Sequence, residues 1–404
     1  MTSTPHTLSA ASAAHHAPKR LVILGATGSI GSSTADVLEG AEGLFQVAAL
    51  AGGRDVEALA RRALQLRPEF VAIADPERYS DLKAALSGSG IEIGAGPDSI
   101  IEAALHPSDM VIGAIAGAAG VRPTHAAVAA GRTVALANKE CLVCAGTAFM
   151  ADARASGAQI LPMDSEHNAI FQALGGADPS IIEQMILTAS GGPFRNWTAE
   201  QIAQATPQQA LAHPNWSMGP KVTIDSASLM NKGLELIEAF HIFGIDAARL
   251  DVLVHPQSIV HGLVSFADGS VTAGMAAPDM KVPIAHCLGY PHRVPTLARR
   301  LDLAAIGTLT FERPDYARFP ALRVAQDALK HGQGLPTVLN AANEVAVAAF
   351  LAGQISFPKI ALIVSNACEK ALKDGTAREP LTIDDALAVD HIVRETCGAL
   401  LAAA

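Results

Sequence analysis

Apolar positions along this chain fall into two rhythms. In its first part, short unbroken runs (Leu21 to Leu24, Phe45 to Leu50, Phe70 to Ala74, Met110 to Ala114 and Thr133 to Ala137) alternate with stretches of helical period such as Asp81 to Leu86 and Pro123 to Ala130. Runs of that kind suit strands buried on both faces, and their alternation with helices predicts an α/β, doubly wound, Rossmann-like parallel sheet. Farther along, Met185 to Thr188, Lys221 to Ile224, Val252 to His255, Ile259 to Phe266 and Val271 to Met275 read as strands, the last two joined by an Asp268-Gly269 turn. One helix is expected from an N-cap at Asp225-Ser226 to Gly244, which makes the second unit α+β. Tyr290 to Pro314 is rich in Pro and Arg with broken periodicity and suits a linker. Four helical patterns then follow, Pro320 to Lys330, Pro336 to Ala352, Pro358 to Leu372 and Ile383 to Leu401, the last opened by a capping box of Thr382 and Asp385, so a C-terminal helical bundle closes the chain.

Composition narrows the function classes. The chain has 404 residues and a formal net charge of -10 without a basic cluster, so nucleic acid is not an expected partner. No apolar run reaches the ~18 residues that would span a bilayer, and no membrane association is expected. Five scattered cysteines and no secretory segment fit a reducing cytoplasm. Cys141 and Cys144 have metal-like spacing but lie in an Ala/Val-rich helical pattern, where packing is the better reading, and His255 and His261 read as structural. Residues 1–18 lack periodicity and read as a disordered leader.

Candidate chemistry begins at Gly25-Ala26-Thr27-Gly28-Ser29-Ile30-Gly31, between the first strand and the first helix. Glycines there permit a tight turn and close approach of a pyrophosphate to a helix N-terminus, a dinucleotide site. After the second strand come Gly53, Arg54 and Asp55; the guanidinium suits a 2′-phosphate and favours NADP, while Asp55 could serve a ribose. Lys139 follows the strand ending at Ala137, on the edge where open sheets bind ligands. The run Asp164-Ser165-Glu166 sets two acids between apolar segments, a costly arrangement that a divalent metal would justify. Gly191-Gly192-Pro193 and Gly219-Pro220 bracket a polar segment with His213 and Trp216, which reads as a lid over about 191–219. Asn231, Glu235 and Glu238 share a helix face beside Lys232; periodicity leaves open whether this is a solvated stripe or part of a site.

These motifs together with Ala137-Asn138-Lys139-Glu140, Ser190-Gly191-Gly192-Pro193-Phe194-Arg195, His213-Pro214-Asn215-Trp216-Ser217-Met218-Gly219 and Asp225-Ser226-Ala227-Ser228-Leu229-Met230-Asn231-Lys232-Gly233-Leu234-Glu235 resemble, in this order, the signature blocks of the 1-deoxy-D-xylulose 5-phosphate reductoisomerases. The resemblance runs from about Leu21 to the C-terminus. It implies a homodimeric enzyme of the non-mevalonate isoprenoid pathway that uses NADPH and Mn2+, Mg2+ or Co2+ to convert a phosphorylated sugar, by carbon–carbon rearrangement followed by hydride transfer, to 2-C-methyl-D-erythritol 4-phosphate. It implies Asp164, Glu166 and Glu235 as metal ligands, and Lys139, Ser165, Ser190, His213, Trp216, Ser226, Asn231 and Lys232 as substrate contacts, Lys139 and His213 with catalytic roles. Thr27, Gly28, Ser29, Ile30, Gly53, Arg54, Asp55, Asn138, Glu140 and Gly219 match the NADPH contacts. Arg54 and Asp55 stand where the family commonly has lysine and asparagine, and Ala189 replaces a glycine ahead of Ser190. The expected division is a leader over 1–18, an NADPH-binding domain over 19–160, a catalytic, metal-binding domain over 161–289, a linker over 290–315 and a helical bundle over 316–404. A metal-assisted NADP-dependent hydroxyacid dehydrogenase and an idle nucleotide sensor are the competing readings.

Overall fold

The computed structural model describes residues 17–216 and 218–402. Residues 1–16, most of the expected leader, Ser217, Ala403 and Ala404 lie outside them.

The first unit is a seven-stranded parallel sheet in the order β4-β3-β2-β1-β5-β6-β7, from β1 (Lys19–Leu24), β2 (Phe45–Gly52), β3 (Phe70–Ile73), β4 (Glu92–Ala95), β5 (Met110–Gly113), β6 (Thr133–Leu136) and β7 (Ile160–Pro162). Between them run α1 (Ser29–Glu39), α2 (Val56–Leu66), α3 (Tyr79–Ala85), α4 (Pro97–Leu105), α5 (Val121–Ala129) and α6 (Glu140–Ser156). The winding reverses at β1, which pairs with both β2 and β5, and ligands of such sheets bind beyond the strand ends at that switch point. The sequence reading placed five of these strands but not β4 or β7. Both are short, and β4 carries Gly94, whose place in the sheet is fixed by packing: a Cβ there would lie 2.6 Å from Ser99 Oγ in α4.

β7 hands the chain to α7 (Ser165–Leu174), which lies on a second sheet of order β11-β10-β8-β9. Its strands are β8 (Ile182–Ala189), β9 (Leu250–Val254), β10 (Val260–Phe266) and β11 (Val271–Met275), with β10 and β11 forming the expected antiparallel pair. Gly274 makes the seating of α7 possible, since a Cβ there would come within 2.6 Å of Ala169. Between β8 and β9 lie α8 (Ala199–Ala203), α9 (Pro207–Ala210), α10 (Pro220–Ser228) and α11 (Met230–Phe243).

Two expectations fail here. Lys221 to Ile224 is helix rather than strand: Gly219 caps α10 and Pro220 takes its first turn, a strong start signal that overrides the β-branched run Val222 to Ile224. Asp225 and Ser226 are accordingly inside α10 and cap nothing; the break before α11 is at Leu229, which holds φ +61.

After β11 come α12 (Lys281–Gly289), the short α13 (Leu303–Ile306) within the expected linker, and α14 (Pro320–His331), α15 (Leu335–Leu351), α16 (Phe357–Asp374) and α17 (Ile383–Ala402), close to the predicted bounds. Both bonds of the capping box are present: Thr382 N–H donates to Asp385, and Asp385 N–H to Thr382 Oγ1 at 3.0 Å. The bundle has no core of its own, because α14 to α17 share one apolar cluster with β8 to β10 and α11. Ile284, Ala285, Cys287 and Leu288 of α12 pack instead into the core of the first unit.

Candidate active site

A cleft opens at the switch point and runs from Ser29 and Ile30, at the start of α1, to the second sheet. At the end near α1, Gly25 adopts φ +90, and a Cβ on it would lie 2.4 Å from the Ala114 carbonyl oxygen. Gly31 is equally closed to a side chain, 2.5 Å from Gly25 O. Gly28 caps α1 in the open, beside the half-buried Thr27, and leaves the backbone accessible. Beyond β2, Gly53 and Arg54 are exposed, with Arg54 Nε 2.9 Å from Asp75 Oδ2. Asp55 Oδ1 accepts the Ala58 N–H at 2.9 Å as the N-cap of α2, and Asp55 is exposed beside Arg54 past the strand. Asn138 is also committed, donating to the carbonyls of Ile115 and Gly117 and accepting the Cys141 N–H, which shapes the turn from β6 into α6.

The cleft floor is acidic. Asp164 caps α7, Glu166 follows in its first turn, and Glu235 arrives from α11, so that carboxylate oxygens from all three lie within 4.8 Å of one another. Two lysines are set among them. Lys139 Nζ bonds Asp164 and stands 3.4 Å from both Glu235 and Glu238, while Lys232 Nζ is 2.5 Å from Glu166 and from Glu235. Ser165 donates to Glu166, and Asn231 to Glu235. Four carboxyl groups face two ammonium groups and His167, which, despite burial, the surrounding acids raise to about 9, so the excess of negative charge is at most one; it is the all-oxygen donor set of Asp164, Glu166 and Glu235 that suits a hard dication.

Electrostatics follow from this crowding. Burial and the neighbouring Glu166 push Glu235 up to about 7. Burial would raise Asp164 too, but Lys139 and His167 outweigh it and hold it well below the ordinary carboxylate range. Both lysines stay charged, because the acids around them overcome desolvation. His167, fully buried, donates Nε2–H to the Glu235 carbonyl at 2.8 Å and turns Nδ1 toward Asp164 and Glu238 at 3.5 and 3.9 Å. Sequence reasoning gave neither His167 nor Glu238 a part in this cluster. Glu238 was visible on the Glu235 face of its helix, but only the fold shows that this face is buried: Lys232, Glu235 and Glu238 are at most 4% exposed.

The far wall is a cluster of neutral donors. His213 Nδ1 accepts the backbone N–H groups of Asn215 and Trp216, so the network assigns the proton to Nε2, which lies 3.1 Å from both Ser190 Oγ and Ser226 Oγ. Burial and the charge of Lys232 lower His213 to about 4, so it is neutral at physiological pH. Asn215 ties this loop to Pro256 O and Ser258 Oγ, both at 2.9 Å, and Trp216 stands edge-on to His261. Met218 and Gly219 complete the wall. Asn231 Oδ1 is buried here without a hydrogen-bond partner.

Thus Lys139, Asp164, Ser165, Glu166, Ser190 and His213 line one cleft with Trp216, Ser226, Asn231, Lys232 and Glu235. Glu140 lies just outside it, held by Lys221. His255 and His261 meet no common ligand: His255 bonds Thr310 O and stacks on Phe311, and His261 faces Ala276 O. Cys141 and Cys144 are buried, free thiols.

Known proteins resemble this chain in sequence and fold. The family model for 1-deoxy-D-xylulose 5-phosphate reductoisomerase matches residues 21–146, that for the C-terminal domain of the same enzyme residues 160–243, and that for the DXP reductoisomerase C-terminal domain residues 275–396. A 1-deoxy-D-xylulose 5-phosphate reductoisomerase of a Bradyrhizobium species is 57% identical over 383 residues, 95% of this chain and 94% of its own. The solved reductoisomerase of Zymomonas mobilis in complex with NADPH superposes with a TM-score of 0.88 at 46% identity, covering 95% of this chain and 99% of that one. A solved DOX-P reductoisomerase in complex with NADPH, fosmidomycin and magnesium gives a TM-score of 0.91 at 40% identity, covering 95% and 98%.

Proposed function

Because the chain belongs to the 1-deoxy-D-xylulose 5-phosphate reductoisomerase family, we propose that it converts 1-deoxy-D-xylulose 5-phosphate to 2-C-methyl-D-erythritol 4-phosphate with NADPH and a divalent metal ion, a step of non-mevalonate isoprenoid synthesis. The observation that carries the reading is the meeting, in one cleft, of a three-carboxylate cluster, a wall of neutral donors and a glycine turn built for a dinucleotide.

Asp164, Glu166 and Glu235 would hold the ion, and the turn from Gly25 to Gly31 with Arg54 would hold NADPH. When bound, the ion supplies Lewis-acid polarisation of substrate oxygens and NADPH the hydride. The chain's own residues supply position. Ser190, Ser226 and the Nε2–H of neutral His213 offer donors to a phosphate, with the Lys232 charge behind them, and this remote binding aligns the reacting carbons. A hydroxyacid dehydrogenase would have no use for that cradle. Lys139, fixed by Asp164, Glu235 and Glu238, presents a permanent charge at the cleft floor. Trp216 lies where it would shield the reacting centre from water.

We assign the lid to residues 191–219. Support comes from the exposed Gly219 at one end and from a segment in which, among the described residues, the regular elements are the short α8 and α9. The division of labour is nucleotide binding by the first sheet, chemistry by the second sheet with α7 and α11, and buttressing by the bundle. We assign the protein to the cytoplasm, a reading supported by its five buried free thiols. Among the described residues no helix is long and apolar enough to cross a membrane. A homodimer is supported by β11, an edge strand that exposes Val271 and Met275 and is open to pairing; sedimentation at several concentrations tests it, and a monomer throughout would refute it.

The direct test is incubation of the purified protein with 1-deoxy-D-xylulose 5-phosphate, NADPH and Mn2+, following loss of the nicotinamide absorbance. No substrate-dependent loss would overturn the reading.

A further inference from the structure

The reaction as read above leaves unused an ionic chain that joins the first unit, the second and the bundle. Lys221, in the first turn of α10, sets Nζ 2.9 Å from Asp225 Oδ2 one turn onward and 3.3 Å from Glu140 Oε1 at the start of α6. Asp225 is 1% exposed, and its Oδ1 accepts a 2.8 Å bond from Nδ2 of the fully buried Asn343 in α15. The next residue, Glu344, is bonded in turn by Arg394 at 2.6 Å. Against the pull of burial, Asp225, Glu140 and Glu344 keep the Lys221 ammonium charged.

Buried ion pairs of this kind stabilise little compared with apolar packing, so stability alone is a poor reason for one. Position is a better reason. Glu140 directly follows Lys139, and α10 carries Gly219 at its N-cap and Ser226 near its end. The chain therefore fixes the cofactor side of α6 against the helix that faces the phosphate.

We propose that Lys221 is a positioning residue for NADPH, holding the Glu140 carboxylate in place, and that Asp225 and Asn343 anchor Lys221 to the bundle. This deepens the function proposed above and rests on it, since it takes Glu140 to lie beside the cofactor. The bundle then acts on cofactor affinity through a defined set of bonds rather than through bulk packing.

The test is calorimetric titration of NADPH into the full-length protein, with steady-state kinetics alongside, for the wild type, Lys221→Met, Lys221→Arg and Asn343→Leu. Losing a hydrogen bond between charged groups should weaken NADPH binding about tenfold in Lys221→Met, with a matching rise in KM for NADPH and about the wild-type kcat and sugar-phosphate KM. Lys221→Arg should keep most of the affinity, and Asn343→Leu should lose roughly threefold, one step removed. Unchanged NADPH affinity in Lys221→Met overturns the proposal. So does an equal loss in the Met and Arg variants, or a lower melting temperature with KM for NADPH unchanged. Wild-type protein that binds NADPH but does not turn over the sugar phosphate overturns the proposed function and leaves the affinity comparison standing; wild-type protein that does not bind NADPH overturns both.

Discussion

Single residues carry the most exposed claims. Glu235 is one of three clustered carboxylates and also accepts from Asn231 and Lys232, so Glu235→Gln keeps the shape and removes a ligand charge. Turnover should fall by at least the ~10–100-fold that loss of even an outer partner costs a metal site, while NADPH affinity by calorimetry stays near wild type. Near-normal turnover at saturating Mn2+ would sink the ligand assignment. Lys232 is buried between Glu166 and Glu235, and its charge reaches His213. Lys232→Ala should chiefly raise KM for the phosphorylated substrate; an unchanged KM would remove Lys232 from the phosphate site. Asp164 and Glu166 could be suspected from sequence because two acids sat in an apolar run, whereas Glu235 could not: its helix face alternates as a solvated one does, and burial is a property of what packs against it.

At the scale of elements, five of the seven strands of the first sheet were legible as unbroken apolar runs, and the last four helices because their periodicity is long and unambiguous. The stretch from Lys221 to Leu229 was not, since β-branched residues in a short run fit either rhythm and only the Gly219-Pro220 start decides. Gly233 shows a different limit. Within α11 it costs ~1 kcal/mol relative to Ala, a penalty with no visible reason in the sequence. The fold supplies one, since a Cβ there would lie 2.2 Å from the Ala325 Cβ of α14. Gly233→Ala should therefore destabilise, overpacking of about 1–3 kcal/mol outweighing the gain in helix propensity. A lower urea midpoint would bear this out, and an unchanged or higher one would mean that α14 recedes freely.

For the whole molecule, acid is the expected weakness. His213, His241 and His286 are each lowered to about 4, chiefly by burial, against an ordinary value of 6.5. Between those values each of the three is protonated in the unfolded chain and neutral in the folded one, so the stability that these three contribute is complete above about pH 6.5 and is lost as pH falls toward about 4. His241, the most enclosed of the three, could account for about 3 kcal/mol; the half-exposed pair contribute less because water screens them. Urea midpoints at pH 7.5 and 5 should differ in that direction, and His241→Gln should narrow the gap. A gap unaltered in that variant would clear His241. Assembly at this scale also bears on the lid. Phe194 is fully buried against Trp197 and Phe357, and Arg318, from the entry to the bundle, donates to the carbonyls of Arg195 at 2.8 Å and Trp197 at 2.9 Å. The near part of the lid proposed above is thus fastened without substrate. Each residue so fixed in advance spares closure roughly 1–2 kcal/mol of lost chain entropy, which leaves more of the phosphate's binding energy to tighten the grip on the substrate.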